Sequence, residues 1–182
     1  VVVAALLTVA MTSGTAQEQP RVTIQSMDVR ENLYVISGGG GHTAALVTES
    51  QGVVLVDTKL AGWGQSILET IQLLTEQPVT TIINTHTHGD HVGGNVDFPA
   101  SVDIIAHDRA ASRMANMEAF TGVGAESLPD RTYTDRMTLF EGRDQIDLYH
   151  FGAGHTDGDT IVVFPALRTA HLGDLFAFTG PP

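Results

Sequence analysis

The pattern of hydrophobic and polar positions along the chain predicts strands interrupted by two helices. Short β-rich runs separated by glycines and polar turn residues predict three antiparallel strands near the start of the chain, at residues 33–36, 43–47 and 53–56. Apolar residues at helical spacing then predict a helix over 63–77, which ends before Pro78. The apolar run at 79–83 predicts a buried strand, so the chain passes through a β-α-β unit.

The second half of the chain repeats this alternation. It contains a predicted strand at 102–106, a helix over 108–120 with Asp108 as its N-cap, and β-patterned segments at 145–151 and 161–164. The pattern therefore predicts an α/β (α+β) fold in which strands dominate. Four consecutive glycines at 38–41 lack the lysine of a phosphate-binding loop and precede a strand, so they indicate a flexible hairpin loop.

Composition narrows the classes of protein and partner. The chain has 182 residues, 42% of them hydrophobic, which suits one domain with a real core. A formal net charge of −12 excludes the electrostatic attraction that nucleic acids require, so we expect a small-molecule substrate and no nucleic-acid partner. The oligomeric state stays open. The sequence contains no cysteine, so it offers neither a disulfide nor a thiolate ligand, and this absence does not decide the compartment.

The first sixteen residues resemble part of a secretory signal. The apolar run 1–11 is shorter than the roughly 20 residues that span a bilayer, and Gly14 and Ala16 fit positions −3 and −1 of a cleavage site. We therefore expect a partial signal peptide at 1–16, a domain at 17–182, and a secreted or periplasmic protein without a stable membrane anchor. A buried N-terminal strand is the alternative interpretation of the run.

Candidate chemistry is concentrated directly after the strand at 79–83. His86, His88, Asp90 and His91 form an H-x-H-x-D-H motif there. A spacing of two in extended backbone points both imidazoles of the H-x-H pair to the same side. Imidazole and carboxylate groups are ligands that zinc and its first-row neighbours accept. Solvated histidines in a polar loop are the alternative, but this dense pattern after a buried strand favours a metal site.

Two later segments complete a family resemblance. His155 lies in a Gly-His-Thr loop and Asp174 in a Gly-Asp turn. Together with the H-x-H-x-D-H motif, they resemble the metallo-β-lactamase superfamily over roughly residues 22 to 178. The resemblance implies a four-layer αββα sandwich whose domain continues past residue 182, where a last histidine ligand is expected.

The same resemblance implies two adjoining metal subsites. The three-histidine subsite consists of His86, His88 and His155. The mixed subsite consists of Asp90, His91 and Asp174, with Asp174 shared between the two metals. Asp57 is expected to support the site without binding metal. Three other histidines are expected to lie outside the ligand set, namely His42, His107 and His171.

The resemblance further implies a zinc-dependent hydrolase with two zinc ions per full-length chain, although iron or manganese could take their place. Water activated by the metals would hydrolyse an ester, thioester, lactone or lactam bond, and Asp90 would be the catalytic residue that orients this water. Two alternatives remain open at this point: a secreted β-lactamase specifically, or an oxidoreductase that uses a single iron on a sulfur substrate. Metal analysis of the full-length protein distinguishes the hydrolase from the iron enzyme.

Overall fold

The structure is a computed structural model that describes residues 23–26 and 32–176. Residues 1–16, for which we predicted a signal peptide, lie outside this part of the chain. Within residues 32–176, no helix combines the length and apolar character needed to cross a membrane.

The first β-sheet has seven strands that lie side by side in chain order. The first four are antiparallel, and the last four, which share β4 with them, are parallel. The strands are β1 Thr23–Ser26, β2 Leu33–Ser37, β3 Thr43–Val47, β4 Val53–Val56, β5 Val79–Ile83, β6 Asp103–His107 and β7 Arg131–Tyr133. Because β4, β5 and β6 are parallel, their carboxyl ends meet at one edge, where α/β folds commonly bind ligands.

The second β-sheet has four antiparallel strands, in the order β11-β10-β9-β8. These strands are β8 Arg136–Leu139, β9 Ile146–Tyr149, β10 Ile161–Phe164 and β11 Thr169–His171. The loop between β9 and β10 carries His155, and the turn after β11 carries Asp174. This sheet therefore delivers the two candidate ligands that are most distant in sequence from the H-x-H-x-D-H motif.

The hydrophobic core lies on both faces of the first sheet. One face packs on the second sheet through residues such as Val54, Ile83 and Leu148, all of which are fully buried. The other face packs on helix α1 (Gly64–Gln72), whose Ile67 and Ile71 are also buried. Helix, sheet and sheet are thus stacked in order, and the predicted α/β sandwich is confirmed.

Two helices are shorter than predicted. Helix α1 ends at Gln72, where the last turn tightens: the N–H of Leu73 donates to the carbonyl of Thr70 at 3.2 Å and that of Leu74 to the carbonyl of Ile71 at 2.9 Å. Helix α3 spans Asp108–Met114 and its N-cap is His107, not Asp108: the ring Nδ1 of His107 accepts a hydrogen bond from the N–H of Arg109 at 3.2 Å. A short helix between them, α2, spans Gly89–Val92 and belongs to the candidate site.

Candidate metal centre

The three-histidine subsite is assembled at the edge where β4 and β5 end. The Nε2 atom of His86 lies 3.2 Å from Nδ1 of His88, and Nε2 of His155 lies 2.9 Å from the same Nδ1. All three ring nitrogens fall within 4.8 Å of one another. His86 is buried, whereas His88 and His155 line the open side of the site. The structure therefore brings together the three histidines that the sequence placed in one subsite.

The mixed subsite lies beside it, on the side of helix α2. The Nε2 atom of His91 is 3.3 Å from one carboxylate oxygen of Asp174, and the other oxygen of Asp174 is 3.7 Å from Nε2 of His155. Asp174 thus lies between the two subsites, as a shared ligand would. The carboxylate of Asp90 is 3.8 Å from His91 Nε2 and 44% exposed. The tighter set of ligand atoms comprises His86, His91 and Asp174, so Asp90 lies at the mouth of the subsite.

The surroundings of one buried nitrogen, Nε2 of His91, show whether these residues fit a metal ion. Within the described part of the chain, Nε2 of His91 has no hydrogen-bond partner although the side chain is only 2% exposed. Buried polar atoms are nearly always satisfied, so an unpaired imidazole nitrogen facing a carboxylate indicates a missing ligand. A metal ion fits this position, because three or more imidazole and carboxylate groups surround it and zinc binds such groups.

Asp57 fixes the orientation of two of these histidines. It follows β4 and is completely buried. Its Oδ2 accepts hydrogen bonds from Nδ1 of His91 and from the hydroxyl of Thr85, both at 2.7 Å. With that hydroxyl committed as a donor to Asp57, its oxygen accepts from Nδ1 of His86 at 3.0 Å. Both histidines therefore carry their protons on Nδ1 and turn the Nε2 lone pairs toward the site, which is how carboxylates support metal-binding histidines.

The charges of this network shift the pKa values of Asp57, His91 and His86 in different directions. Burial alone would raise the pKa of Asp57, but the hydrogen bond and charge of His91 outweigh it, so the pKa of Asp57 is lowered. Burial would lower the pKa of His91, but the hydrogen bond and charge of Asp57 raise it. Burial, followed by the charge of His91, lowers the pKa of His86 to about 4. His86 is therefore neutral at physiological pH, as metal binding requires.

We expect Asp57→Asn to destabilise the protein even without metal. The amide nitrogen cannot accept a hydrogen bond. Depending on its orientation, either the Thr85 N–H, which donates to Oδ1 at 2.8 Å, loses its partner, or both the Thr85 hydroxyl and the His91 ring lose theirs. Breaking a buried charged pair costs about 3–5 kcal/mol in free energy of unfolding, which denaturant unfolding of the chelator-treated full-length protein measures. Asp144→Asn is the matched control, because Asp144 is also buried but its carboxylate accepts hydrogen bonds from the neutral backbone N–H of Glu49, at 3.0 Å. Equal losses in the two variants would contradict this role of Asp57.

The loop that carries His155 is held by a carboxylate that the sequence did not single out. Asp159 is 6% exposed and accepts hydrogen bonds from the N–H groups of Gly154 and Thr156 and from the Thr156 hydroxyl, the last at 2.6 Å. The N–H of Thr160 donates to the carbonyl of Thr85 at 2.7 Å, which ties the loop to the residue before His86. The Thr-x-x-Asp spacing of Thr156 and Asp159 favours such local hydrogen bonds, so this pattern in the sequence could have indicated the role of Asp159.

The turn that carries Asp174 packs closely against Thr85, the residue before His86. Gly173 has a φ of +53°, and a Cβ added there would lie 2.8 Å from the hydroxyl oxygen of Thr85. Only glycine permits this close approach in that backbone conformation. The close contact places Asp174 next to His86 and explains why glycine precedes the shared carboxylate.

Three other histidines, His42, His107 and His171, lie outside the two candidate ligand groups that the described residues form. Both ring nitrogens of His107 are used: Nδ1 accepts from Arg109 and Nε2 bonds the carbonyl of Thr134 at 2.8 Å. The ring of His171 accepts a hydrogen bond from the N–H of Gly173 at 3.2 Å, and His42 lies 3.1 Å from the hydroxyl of Ser37.

Comparison with known proteins identifies the family to which the chain belongs. The family model described as the metallo-beta-lactamase superfamily matches residues 37–181. The 2,4-dinitroanisole O-demethylase subunit alpha of Nocardioides sp. (strain JS1661) is 30% identical over 167 residues, which cover 90% of this chain and 48% of that protein. The metallo-beta-lactamase type 2 of Elizabethkingia meningoseptica is 28% identical, over 82% of this chain and 60% of that protein. The chain thus spans about half to three fifths of the length of these relatives.

Solved structures agree on the fold. The metallo-beta-lactamase IND-7 aligns with a TM-score of 0.67 at 21% identity, covering 82% of this chain and 69% of that chain. A metallo-beta-lactamase from Pontibacter korlensis aligns with a TM-score of 0.65 at 22% identity, covering 79% and 67%. The match to the family model covers most of the chain, and the chain belongs to the metallo-β-lactamase superfamily.

Proposed function

We propose that the protein is a dinuclear zinc hydrolase that cleaves an ester, thioester, lactone or lactam bond in a small molecule. The observation that carries the proposal is the position of Asp174, whose two carboxylate oxygens face His91 and His155 at 3.3 and 3.7 Å. A carboxylate between two sets of imidazoles is the arrangement that two adjacent cations require, since each cation then receives a ligand from it.

The residues divide into two sets of ligands. His86, His88 and His155 would hold one zinc ion through neutral imidazole nitrogens, which leaves a position open as in hydrolytic zinc sites. His91 and Asp174, with Asp90 at the mouth, would hold the second. When bound, zinc supplies Lewis acidity, which makes water a nucleophile at neutral pH and polarises the bond to be cleaved.

The chain's own contribution to proton transfer is Asp90. Its carboxylate is 44% exposed and reaches within 3.8 Å of His91 Nε2, so it faces both the subsite and the solvent side where a substrate enters. From that position, an oxygen of Asp90 can accept a proton from the attacking water and return it to the leaving group. The nucleophile we propose is water, because three histidine ligands leave a metal position open for it.

The relatives guide the choice of substrates. One is a metallo-beta-lactamase, and another, a hydroxyacylglutathione hydrolase of Polaromonas sp. (strain JS666 / ATCC BAA-500), is 30% identical over 53% of this chain and 45% of that protein. Lactams and thioesters are therefore suitable first tests. Residues 1–182 contain no cysteine, so the ligands we propose for the second metal include no thiolate, unlike those of lactamases that use one.

A second candidate activity is cleavage of an aryl methyl ether. The observation that favours it is the relative named for the O-demethylation of 2,4-dinitroanisole, whose match extends over 90% of this chain. With metal bound, the same site would offer a cationic environment for the methoxide that leaves an electron-poor ring when water takes its place. This candidate shares its metal ligands with the hydrolase, so it is distinguished by substrate, not by metal content.

Metal analysis combined with a substrate panel tests the proposal. Full-length protein isolated without added metal is analysed for zinc, iron and manganese, then assayed with a chromogenic β-lactam, an aryl ester, a thioester, a lactone and 2,4-dinitroanisole. We expect about two zinc ions per chain and turnover of a bond from the first four classes, which is lost after chelation and restored by zinc. About one iron per chain would indicate the oxidoreductase instead. Turnover of only the anisole would favour the ether-cleaving candidate.

A further inference from the structure

The single lysine in the 182-residue sequence lies in the interior, close to the metal centre. Lys59 follows Asp57 and Thr58 at the end of β4 and is 0% exposed. Its Nζ donates hydrogen bonds to the carbonyl oxygens of Ile36 at 2.8 Å and Gly41 at 2.7 Å. Burying an ammonium group costs free energy unless the group is hydrogen-bonded. The carbonyls of Ile36 and Gly41 supply these hydrogen bonds to Lys59, and Lys59 in turn fixes their positions.

These two carbonyls lie just before and at the end of the four consecutive glycines, residues 38–41, which we call the glycine segment. Ile36 lies in β2 just before the segment, and Gly41 is its last residue. The N–H of Leu60 also donates to the carbonyl of Gly39, at 3.2 Å. Lys59 and Leu60 thus hold the segment just before its first residue, in its middle and at its last residue. The loop for which the sequence predicted a flexible hairpin is therefore fixed by these hydrogen bonds.

The glycine segment lies directly on two candidate ligands. The N–H of Gly41 donates to the carbonyl of Asp90 at 3.0 Å. A Cβ added to Gly40 would lie 2.7 Å from Cβ of Asp90, and a Cβ added to Gly41 would lie 2.6 Å from Nε2 of His91. That nitrogen is the unpaired atom of the mixed subsite. The segment therefore forms the wall of the mixed subsite, and its closeness leaves no room for side chains.

The backbone around Lys59 also contacts helix α2 and the turn that follows it. The N–H of Thr58 donates to the carbonyl of His91 at 2.7 Å, and the carbonyl of Lys59 accepts from the N–H of Gly94 at 2.9 Å. Helix α2 is only four residues long and cannot fix its own position. It is held between the backbone of residues 58–59 and the glycine segment, and the Lys59 side chain joins these two supports.

Burial lowers the pKa of Lys59 to about 8, against the opposing charge of Asp57. At neutral pH the side chain therefore keeps its proton. An ammonium group has three donors, of which the two carbonyls take two.

We propose that Lys59 is a positioning residue that fixes the glycine segment against Asp90 and His91 and thereby sets the metal affinity of the mixed subsite. The three-histidine subsite does not depend on this contact, because its ring nitrogens come from the loops after β5 and β9. The proposal rests on the dinuclear centre proposed above.

Lys59→Met in the full-length protein tests this. Methionine fills a similar space but donates no hydrogen bond, so the glycine segment loses its anchor. Zinc and cobalt are titrated into chelator-treated protein against a chromophoric competitor, and bound metal is counted after gel filtration. Loss of groups that orient ligands typically weakens metal binding about 10–100-fold, so we expect the weaker affinity to fall by that factor while the tighter one is retained. Unchanged affinities for both metals would overturn the proposal.

Asp144→Ala is the matched control for general destabilisation. Asp144 is also buried and also holds a loop, through two hydrogen bonds of 3.0 Å from the N–H of Glu49, but it carries no contact to the metal centre. We expect it to keep both metal affinities. Selective loss of the second metal in Asp144→Ala would show that any weakened loop has this effect, and would overturn a specific role for Lys59.

A measurement on the unchanged protein covers the case in which Lys59→Met does not fold. Selective labelling with ¹³C at the lysine ε-carbon reports on Lys59, the one lysine of residues 1–182, and its NMR signal is assigned as the one that is absent from a Lys59→Arg variant. If Lys59 affects the second metal, that metal must in turn affect Lys59, since coupling is reciprocal. We expect the signal to shift with the second equivalent of zinc. A signal that moves only with the first equivalent would overturn the proposal.

The outcomes also separate this inference from the proposed function. Wild-type protein that binds a single metal removes the dinuclear centre itself. Wild-type protein with two metals, together with a Lys59→Met variant that binds both equally well, removes only the role of Lys59.

Discussion

Asp174→Ala is expected to weaken both metals, not one. The two oxygens of Asp174 face nitrogens of different subsites, His91 at 3.3 Å and His155 at 3.7 Å, so truncation takes a ligand from each. Loss of a group that only orients a ligand costs about 10–100-fold in affinity, so loss of a shared ligand should cost more than about 100-fold at each subsite. Competition titrations of zinc into the chelator-treated full-length variant measure both constants.

Asp157→Ala is the control for this experiment. Asp157 lies two residues after His155 and also carries an acidic side chain, but it pairs with Arg113 at 2.6 Å on the surface. Removing it changes the net charge of the protein by the same amount as Asp174→Ala and takes no ligand away. We expect its two zinc affinities to match those of the wild type. If Asp174→Ala lost only one metal, Asp174 would serve one subsite and the shared-ligand arrangement would be wrong.

Much of the candidate site follows from local sequence because parallel strands place their carboxyl ends together. The spacing of His86 and His88 after a buried strand predicted two imidazoles on one side, and their nitrogens lie 3.2 Å apart. The Gly-His-Thr and Gly-Asp motifs indicated His155 and Asp174 by family resemblance. Their placement depends on the packing of the second sheet on the first, which local sequence pattern does not describe.

The supports of the site could not be predicted in the same way. A lysine after a buried strand would ordinarily point to solvent, and nothing in its neighbours indicates that Lys59 turns inward to the carbonyl of Gly41, eighteen positions away in sequence. The contact requires the positive φ of 68° at Lys59, which sequence patterns rarely reveal for a residue other than glycine. Long-range backbone contacts of this kind depend on the tertiary structure, as does the early end of α1 at Gln72.

The position of Asp90 shows why two carboxylates of one centre should behave differently. Asp174 is enclosed between the subsites, whereas Asp90 lies at the mouth, 44% exposed and 3.8 Å from His91 Nε2. It is outside the tight groups of ligand atoms that the described residues form. Its backbone is fixed independently of its side chain, through the hydrogen bond from the N–H of Gly41 at 3.0 Å. A change in its carboxylate alone should therefore leave the surrounding structure in place.

Asp90→Asn is accordingly expected to abolish most turnover while the three-histidine subsite keeps its zinc. Asparagine preserves the shape of the side chain but cannot take a proton from water at neutral pH. Loss of a general base costs about 10²–10⁴-fold in rate, which should appear in kcat as well as in kcat/KM because the lost interaction belongs to the transition state. The measurements are zinc content and hydrolysis rates of the full-length variant on a substrate that the wild type cleaves.

Asp108→Asn serves as the comparison, since it removes the same charge from the first turn of α3, which carries no candidate ligand. We expect its rate to stay within about threefold of the wild type, because it removes no candidate ligand and a surface substitution usually changes the free energy of unfolding by less than about 0.5 kcal/mol. An Asp90→Asn variant that binds zinc normally and retains near-normal rates would show that another group moves the proton. An Asp90→Asn variant that loses the metals of both subsites would show instead that both metals depend on Asp90 as a ligand. In that case the division of roles between Asp90 and Asp174 would be wrong.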